Sequence, residues 1–131
     1  AETRVREALV VRAQRDEDWI VRAEVARALG ARGSRDGVAQ PWRHALQALL
    51  LDSDAAVAES ASRGLADLGD ERAVPALIDV LESAARSGDL RRLHAAEGAL
   101  VTLTGERDKR SLAAWRDWWN RNRARVEGGP G

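Results

Sequence analysis

The feature that most constrains this chain is a repeat. The stretch Asp52-Ser53-Asp54-Ala55-Ala56-Val57 through Arg63-Gly64-Leu65 answers Asp16-Glu17-Asp18-Trp19-Ile20-Val21 through Arg27-Ala28-Leu29, 36 positions earlier. Asp16 matches Asp52, Asp18 matches Asp54, Val21 matches Val57, Arg27 matches Arg63 and Leu29 matches Leu65. A third copy follows 35 positions later, where Asp89, Ala96, Ala99 and Leu100 answer Asp54, Ala61, Gly64 and Leu65. One unit of this length cannot bury its apolar face alone, so units must stack. The expected fold is all-α, a right-handed α-solenoid of three helix pairs.

Apolar spacing assigns the elements in chain order. A short helix is expected over 3–14, and then Asp18 as the N-cap of an inner helix over 19–31. Val21, Val25, Ala28 and Leu29 form its buried stripe. Gly30 to Gly37 reads as a loop, because glycine ends helices and forms turns. An outer helix over 38–51 carries Pro41 in its first turn, where a missing N–H costs little, and Leu46, Leu49 and Leu50 behind it. The second inner helix spans 55–68, with Val57, Ala61, Gly64, Leu65 and Leu68 buried. A glycine inside a helix costs about 1 kcal/mol against alanine. Gly64 on an apolar stripe therefore implies close backbone contact with a neighbouring helix. The third pair spans 72–85 and 90–104, with Leu93, Ala96, Leu100 and Leu103 facing the core. Residues 1–127 read as one domain, with repeats over 1–33, 34–70 and 71–105 and a flexible tail over 128–131.

The closing helix, 111–126 with Ser111 as N-cap, differs from the repeats. Leu112, Trp115 and Trp119 fall on one face, flanked by Trp118. A solenoid must cover its exposed end, so these three residues are expected to form a structural cap over the third inner helix. Arg116, Arg121, Arg123 and Arg125 would form the solvated side. The competing reading is a Trp-bearing basic surface for nucleic acid or membrane.

Composition excludes several classes. Acidic and basic residues balance at 21 each. Residues 1–104 carry 14 bases and 17 acids, and residues 105–131 carry seven and four. Neither block has the basic excess of a nucleic-acid binder. There is no Cys, hence no disulfide or thiolate chemistry. No apolar run approaches the roughly 20 residues of a membrane span, and no signal peptide is visible. The chain starts with Ala1 inside an expected helix, so a segment of a longer array or a processed chain is expected. The composition is compatible with any compartment, and the reading favours a soluble, cytoplasmic protein without assigning one.

These residues resemble the HEAT-repeat family, in the short bacterial form also seen in phycobilin-lyase-like proteins. The resemblance is carried by Asp16 to Arg22, Asp52 to Val57, Ala28-Leu29-Gly30, Gly64 to Asp70 and Ala73-Val74-Pro75-Ala76-Leu77. Leu103-Thr104-Gly105 with Trp115 to Trp119 looks like the C-terminal end of such proteins. Two departures stand out. Ala58 occupies the position where the family carries an Arg, as Arg22 does in repeat one. Repeat three slips register by one residue around Leu90 to Leu93.

The resemblance implies a binding scaffold, although some relatives in fold are enzymes. Hydroxylases of this fold hold two irons through repeated His-Glu pairs. Here His44 and His94 lie on different helix types and neither precedes Glu. His94 and Glu97 at i, i+3 would make half a metal site without a second half. Helical DNA glycosylases use an Asp and a Trp in a basic groove, but around Asp18-Trp19 and Trp42 the inner helices are not basic. No Ser–His–Asp set, phosphate loop or Cys/His metal spacing appears.

What remains is a surface. The solvent stripe of the first inner helix is expected to centre on Ala23 and Arg27, edged by Glu24. That of the second carries Glu59, Arg63 and Asp67, and that of the third His94 and Gly98 beside Glu97 and Thr102. Arg27, Glu59, Arg63, His94 and Glu97 are the expected partner-binding ladder on the concave face. The expected function is a non-catalytic protein-binding scaffold module, the C-terminal segment of a longer HEAT-repeat protein. The isolated module should be monomeric, with no cofactor, metal, nucleic acid or membrane. The alternatives are a lyase- or glycosylase-like enzyme, or nucleic-acid binding by the Arg-rich last helix.

Overall fold

The computed structural model describes residues 18–36, 40–108 and 111–128. Six α-helices run in order: α1 Trp19–Asp36, α2 Gln40–Leu49, α3 Ala55–Leu68, α4 Val74–Ser87, α5 Leu90–Thr104 and α6 Leu112–Gly128. A 3-10 turn, Glu71–Ala73, leads into α4. The described residues contain no strand. The inner helices α1, α3 and α5 pack side by side, α1 on α3 and α3 on α5. α2 lies against α1 and α3, α4 against α5, and α6 against α4 and the 3-10 turn. This is the expected α-solenoid. The helix expected over 3–14 and residues 129–131 of the expected tail lie outside the described residues, whereas Gly128 is the last residue of α6.

The helix starts follow from side-chain chemistry. A helix begins with backbone N–H groups that lack partners, and a short acid or hydroxyl can accept from them. Asp18 accepts from the Ile20 N–H at 2.9 Å, and Asp54 from that of Ala56 at 2.8 Å. Asp89 accepts from the Arg92 N–H at 3.1 Å, and Ser111 from that of Ala114 at 3.1 Å. At the other end of α3, Gly69 adopts φ 74°, and its N–H returns to the Leu65 and Ala66 carbonyls. A Cβ would disfavour that left-handed conformation.

Three expectations are corrected. The first inner helix does not end at Gly30 but runs on to Asp36. Gly30 sits inside it, facing Gly64 of α3. A Cβ built on Gly30 would lie 2.4 Å from the Gly64 Cα, and one on Gly64 would lie 2.8 Å from the Ala26 carbonyl oxygen. Gly30 is thus a contact residue of the inner layer, and Gly64 makes the close approach its sequence position implied. Second, the buried arc of α1 comprises Ala23, Val25, Ala26 and Leu29, while Ala28 is exposed. α1 is gripped by both α2 and α3, so its buried arc is wider than one stripe and Ala23 leaves the solvent face. Third, Ala99 is buried with Ala96 and Leu100 in α5, whereas Leu93 and Leu103 are only half-buried.

Arginines tie the repeats together through the turns. Arg22 of α1 forks onto Asp52 at 2.8 and 3.1 Å, and both side chains are nearly buried, 14% and 11% exposed. From the other side Arg92 of α5 donates to the Ser53 carbonyl at 3.0 Å and the Leu50 carbonyl at 3.5 Å, while bonded to Asp89 at 2.8 Å. The turn of repeat two is therefore held by one Arg from the repeat before and one from the repeat after. Ala58 lies between the two in sequence and is buried. Arg43 of α2 reaches Asp70 at 2.9 Å and couples repeat two to the 3-10 turn in the same way.

Asp52 carries the pH consequence. Burial pushes its carboxyl upward, but the Arg22 hydrogen bond, the Asp54 N–H and the charges of Arg22 and Arg92 outweigh it, so the net shift is downward. A carboxylate with a depressed folded-state pKa stabilises the fold above its unfolded pKa and loses that contribution as pH falls through the folded value. The loss is therefore expected below about pH 4. Asp52→Asn should cost roughly 1–3 kcal/mol at pH 7, because it leaves Arg22 nearly buried beside a neutral partner. The difference between variant and parent should shrink as urea unfolding is repeated toward pH 3. A constant difference across that range would show that Asp52 acts by shape alone.

Candidate functional site

The solvent face of the inner helices presents Glu24, Arg27, Ala28 and Ala31 from α1. α3 contributes Glu59, half-buried, with Arg63 and Asp67 exposed. α5 contributes Arg91, His94, Glu97, Gly98 and Thr102, all exposed. Helical spacing sets this: these positions lie opposite the Ala/Leu stripe that each helix gives to the core.

The ladder residues are not paired alike. Arg27 bonds Glu24 of its own helix at 3.4 Å, with both side chains about two-thirds exposed. Glu59 is the cross-helix residue. It lies 3.9 Å from Arg63 on α3 and accepts from Arg91 on α5 at 3.2 Å. Arg91 was not among the expected site residues. At the 35-residue offset it aligns with Ala56, outside the ladder, and only the α3–α5 packing brings it to Glu59. Among the described residues no ion pair on this face joins α1 to α3, so Arg27 and Arg63 belong to separate pairs. Exposed pairs of this kind contribute about 0–1 kcal/mol each and are free to exchange partners.

At the C-terminal edge of the face, Glu97 borders a cleft of about 460 Å³ between α4, α5 and α6. Leu81, Ala85, Leu93, Leu112 and Trp115 form its apolar lining, with Glu82 and Arg86 at the rim. The Glu82 carboxylate pairs with Arg86 at 3.6 Å and Arg116 at 3.2 Å. Glu97 has no hydrogen-bond or ion-pair partner among the described residues.

The expected cap residues lie on the core side of α6, but unequally. Trp115 and Trp118 are buried, 0% and 4% exposed, while Leu112 and Trp119 are half-buried against the core. Trp118 is thus a core residue rather than a flanking one. α6 rests mainly on α4 and the 3-10 turn, not on the third inner helix. Its arginines are not a free basic surface either. Arg125 forks onto Glu71 at 3.0 and 3.1 Å, and that hydrogen bond and charge raise its pKa further. Arg116 pairs with Glu82, Arg121 with Asp117 and Arg123 with Glu127.

As for chemistry, no group of three or more His, Cys, Asp or Glu able to hold a metal occurs among the described residues. The Asp18 carboxylate caps α1. Trp42 is completely buried in the core, so it lines no groove. No described helix is long and apolar enough to cross a membrane.

A search of curated proteins gives no match to this sequence. A family model described as HEAT repeats matches residues 6–100, well over half of the chain. The match stops before α6, the helix that departs from the repeat pattern. With helix pairs stacked in this order, capped by acids at the repeat period and matched over most of its length, the chain belongs to the HEAT-repeat family.

Proposed function

We propose that the chain is a non-catalytic protein-binding module that uses its inner-helix face, with Arg27, Glu59, Arg63, His94 and Glu97 as contact residues. HEAT repeats commonly serve as protein-interaction scaffolds. The observation that carries the reading is the shared carboxylate of Glu59. It holds exposed arginines from two inner helices at 3.2 and 3.9 Å, above a layer of buried Ala and Leu. Charges of both signs on a rigid, exposed surface can trade their weak internal partners for those of an opposing protein, which favours selective association.

The test is a charge reversal, Arg27→Glu with Arg63→Glu. Both side chains are exposed, at 63% and 70%, so the unfolding midpoint should move by less than about 0.5 kcal/mol. Capture of the partner that binds the parent protein should fall at least tenfold, and its salt dependence should weaken. Unchanged capture by a folded variant would leave this face as solvated surface only.

A further inference from the structure

We infer that the cleft between α4, α5 and α6 receives an apolar side chain flanked by a cationic one, presented by an extended segment of a partner protein. This rests on the protein-binding reading above and names the chemistry of what is bound.

Three observations converge. The cleft, about 460 Å³, lies within the size range of ligand sites and is mostly apolar, as such sites are. Its wall residues Leu93 and Leu112 are only half-buried, so covering them removes apolar surface from water. The third observation is charge. Asp79 and Glu82 together balance Arg86 and Arg116, two acids against two bases, whereas Glu97 has no partner among the described residues. Among the described residues the uncompensated charge at the mouth is therefore negative, and an incoming cation gains where a phosphate or carboxylate would be repelled. That polarity disfavours nucleic acid and anionic lipid.

Two other clefts lie along α2 and α4, about 340 and 410 Å³, sharing Leu50, Leu51, Asp79 and Val80. Their acids are already committed: Asp52 to Arg22, Asp89 to Arg92 and Asp79 to Arg116. Nothing there selects an occupant. The α4–α5–α6 cleft is also continuous with the inner-helix face, because Glu97 belongs to both. A segment lying along α5 past His94 would reach it.

The experiment is an NMR titration of the ¹⁵N-labelled full chain with three probes: acetyl-Leu-Lys-Leu-amide, acetyl-Leu-Gln-Leu-amide and acetyl-Leu-Glu-Leu-amide. The lysine peptide should shift the amides of Leu93, Glu97 and Leu112 and the indole N–H of Trp115. It should bind about two- to fivefold more tightly than the glutamate peptide, the ratio one partly exposed charge pair supplies. Glu97→Gln should abolish that preference while leaving binding of the glutamine peptide unchanged. This separates lost charge from lost fold, and so does an unchanged circular dichroism spectrum. Equal affinity for all three peptides, shifts confined to other surfaces, or no binding up to about 10 mM would overturn the inference. So would concentration-dependent dimerisation in sedimentation that Leu93→Asp abolishes, because the cleft would then belong to a second copy. Neither Arg27 nor Arg63 lines the cleft, so the charge-reversal experiment stands or falls independently.

Discussion

Gly30→Ala is expected to destabilise the fold by about 3 kcal/mol, at or above the usual range for an overpacked site. The new methyl would sit 2.4 Å from the Gly64 Cα and 2.5 Å from its carbonyl oxygen. Backbone cannot rotate away as a side chain can, so α1 and α3 must separate. Their separation would loosen the Ala26, Leu29 and Leu65 packing beneath. Gly64→Ala should act in the same direction, more mildly, because its nearest side-chain neighbour is the mobile end of Leu46 at 3.0 Å, although the Ala26 carbonyl lies at 2.8 Å. Gly98 provides the control. It too lies within a helix, but a Cβ there meets nothing within 4 Å. Gly98→Ala should therefore gain the helix-propensity difference, up to about 1 kcal/mol. Urea unfolding of the three variants gives opposite signs if the Gly30–Gly64 crossing is what holds the inner layer. A neutral or stabilising Gly30→Ala would show that α1 and α3 can shift apart without cost. The double variant should cost less than the sum of the two singles, because the first methyl already forces the separation that the second needs.

That crossing also marks where sequence reading stops. Gly30 has two meanings that local sequence cannot separate. As a helix breaker it ends α1, and as a residue without a side chain it lets α1 meet α3. Only the neighbouring helix decides, and that neighbour lies 34 positions away. The legible features are those set locally: the 35- to 36-residue period, the capping acids Asp18, Asp54 and Asp89, and the apolar stripes of α3 and α4. The Arg22–Asp52 and Arg92–Ser53 contacts were not legible, because they join residues 30 and 39 positions apart. The sequence did hold one clue. Ala58 interrupts an Arg series whose other members, Arg22 and Arg92, converge on the same turn, and the one-residue slip near Leu90 hides Arg92 from the repeat alignment. In the candidate site, Glu24, Arg27, Glu59, Arg63, His94 and Glu97 were placed on the solvent face from spacing alone. Arg91 was missed because its counterpart in repeat two, Ala56, lies outside the ladder, and Ala23 was misplaced because α1 has two neighbours. The cleft beside Glu97 could not be read at all, since it depends on how α6 leans on α4.

The second large effect is expected at α6. Trp115 is completely buried and Trp118 nearly so, and each can bury about 150–250 Å². At about 25 cal/mol per Å², that is roughly 4–6 kcal/mol of burial apiece as an upper bound. A domain of this size has a total stability of about 5–15 kcal/mol. Deleting residues 111–131 should therefore not leave a folded solenoid that merely lacks one helix. It would uncover the α4 side of the core around Leu81, beside Leu93 of α5, and remove the Arg116–Glu82 and Arg125–Glu71 links. The truncated chain is expected to aggregate, or to lose more helix signal than the 17 residues of α6 account for. Point variants locate the cause. Trp115→Ala should cost about 3–5 kcal/mol. Trp115→Phe should cost much less, because the indole Nε1 has no hydrogen-bond partner among the described residues; removing an unsatisfied donor offsets part of the lost contact area. If α6 were instead a surface held ready for a partner, the truncation would be soluble and melt as the parent does, and Trp115→Ala would change binding but not stability. Either result would move the Trp face from the core to the interface. The burial of Trp115 and the seating of α6 on α4 predict the opposite: the closing helix is as much a part of the folding unit as the repeats it covers.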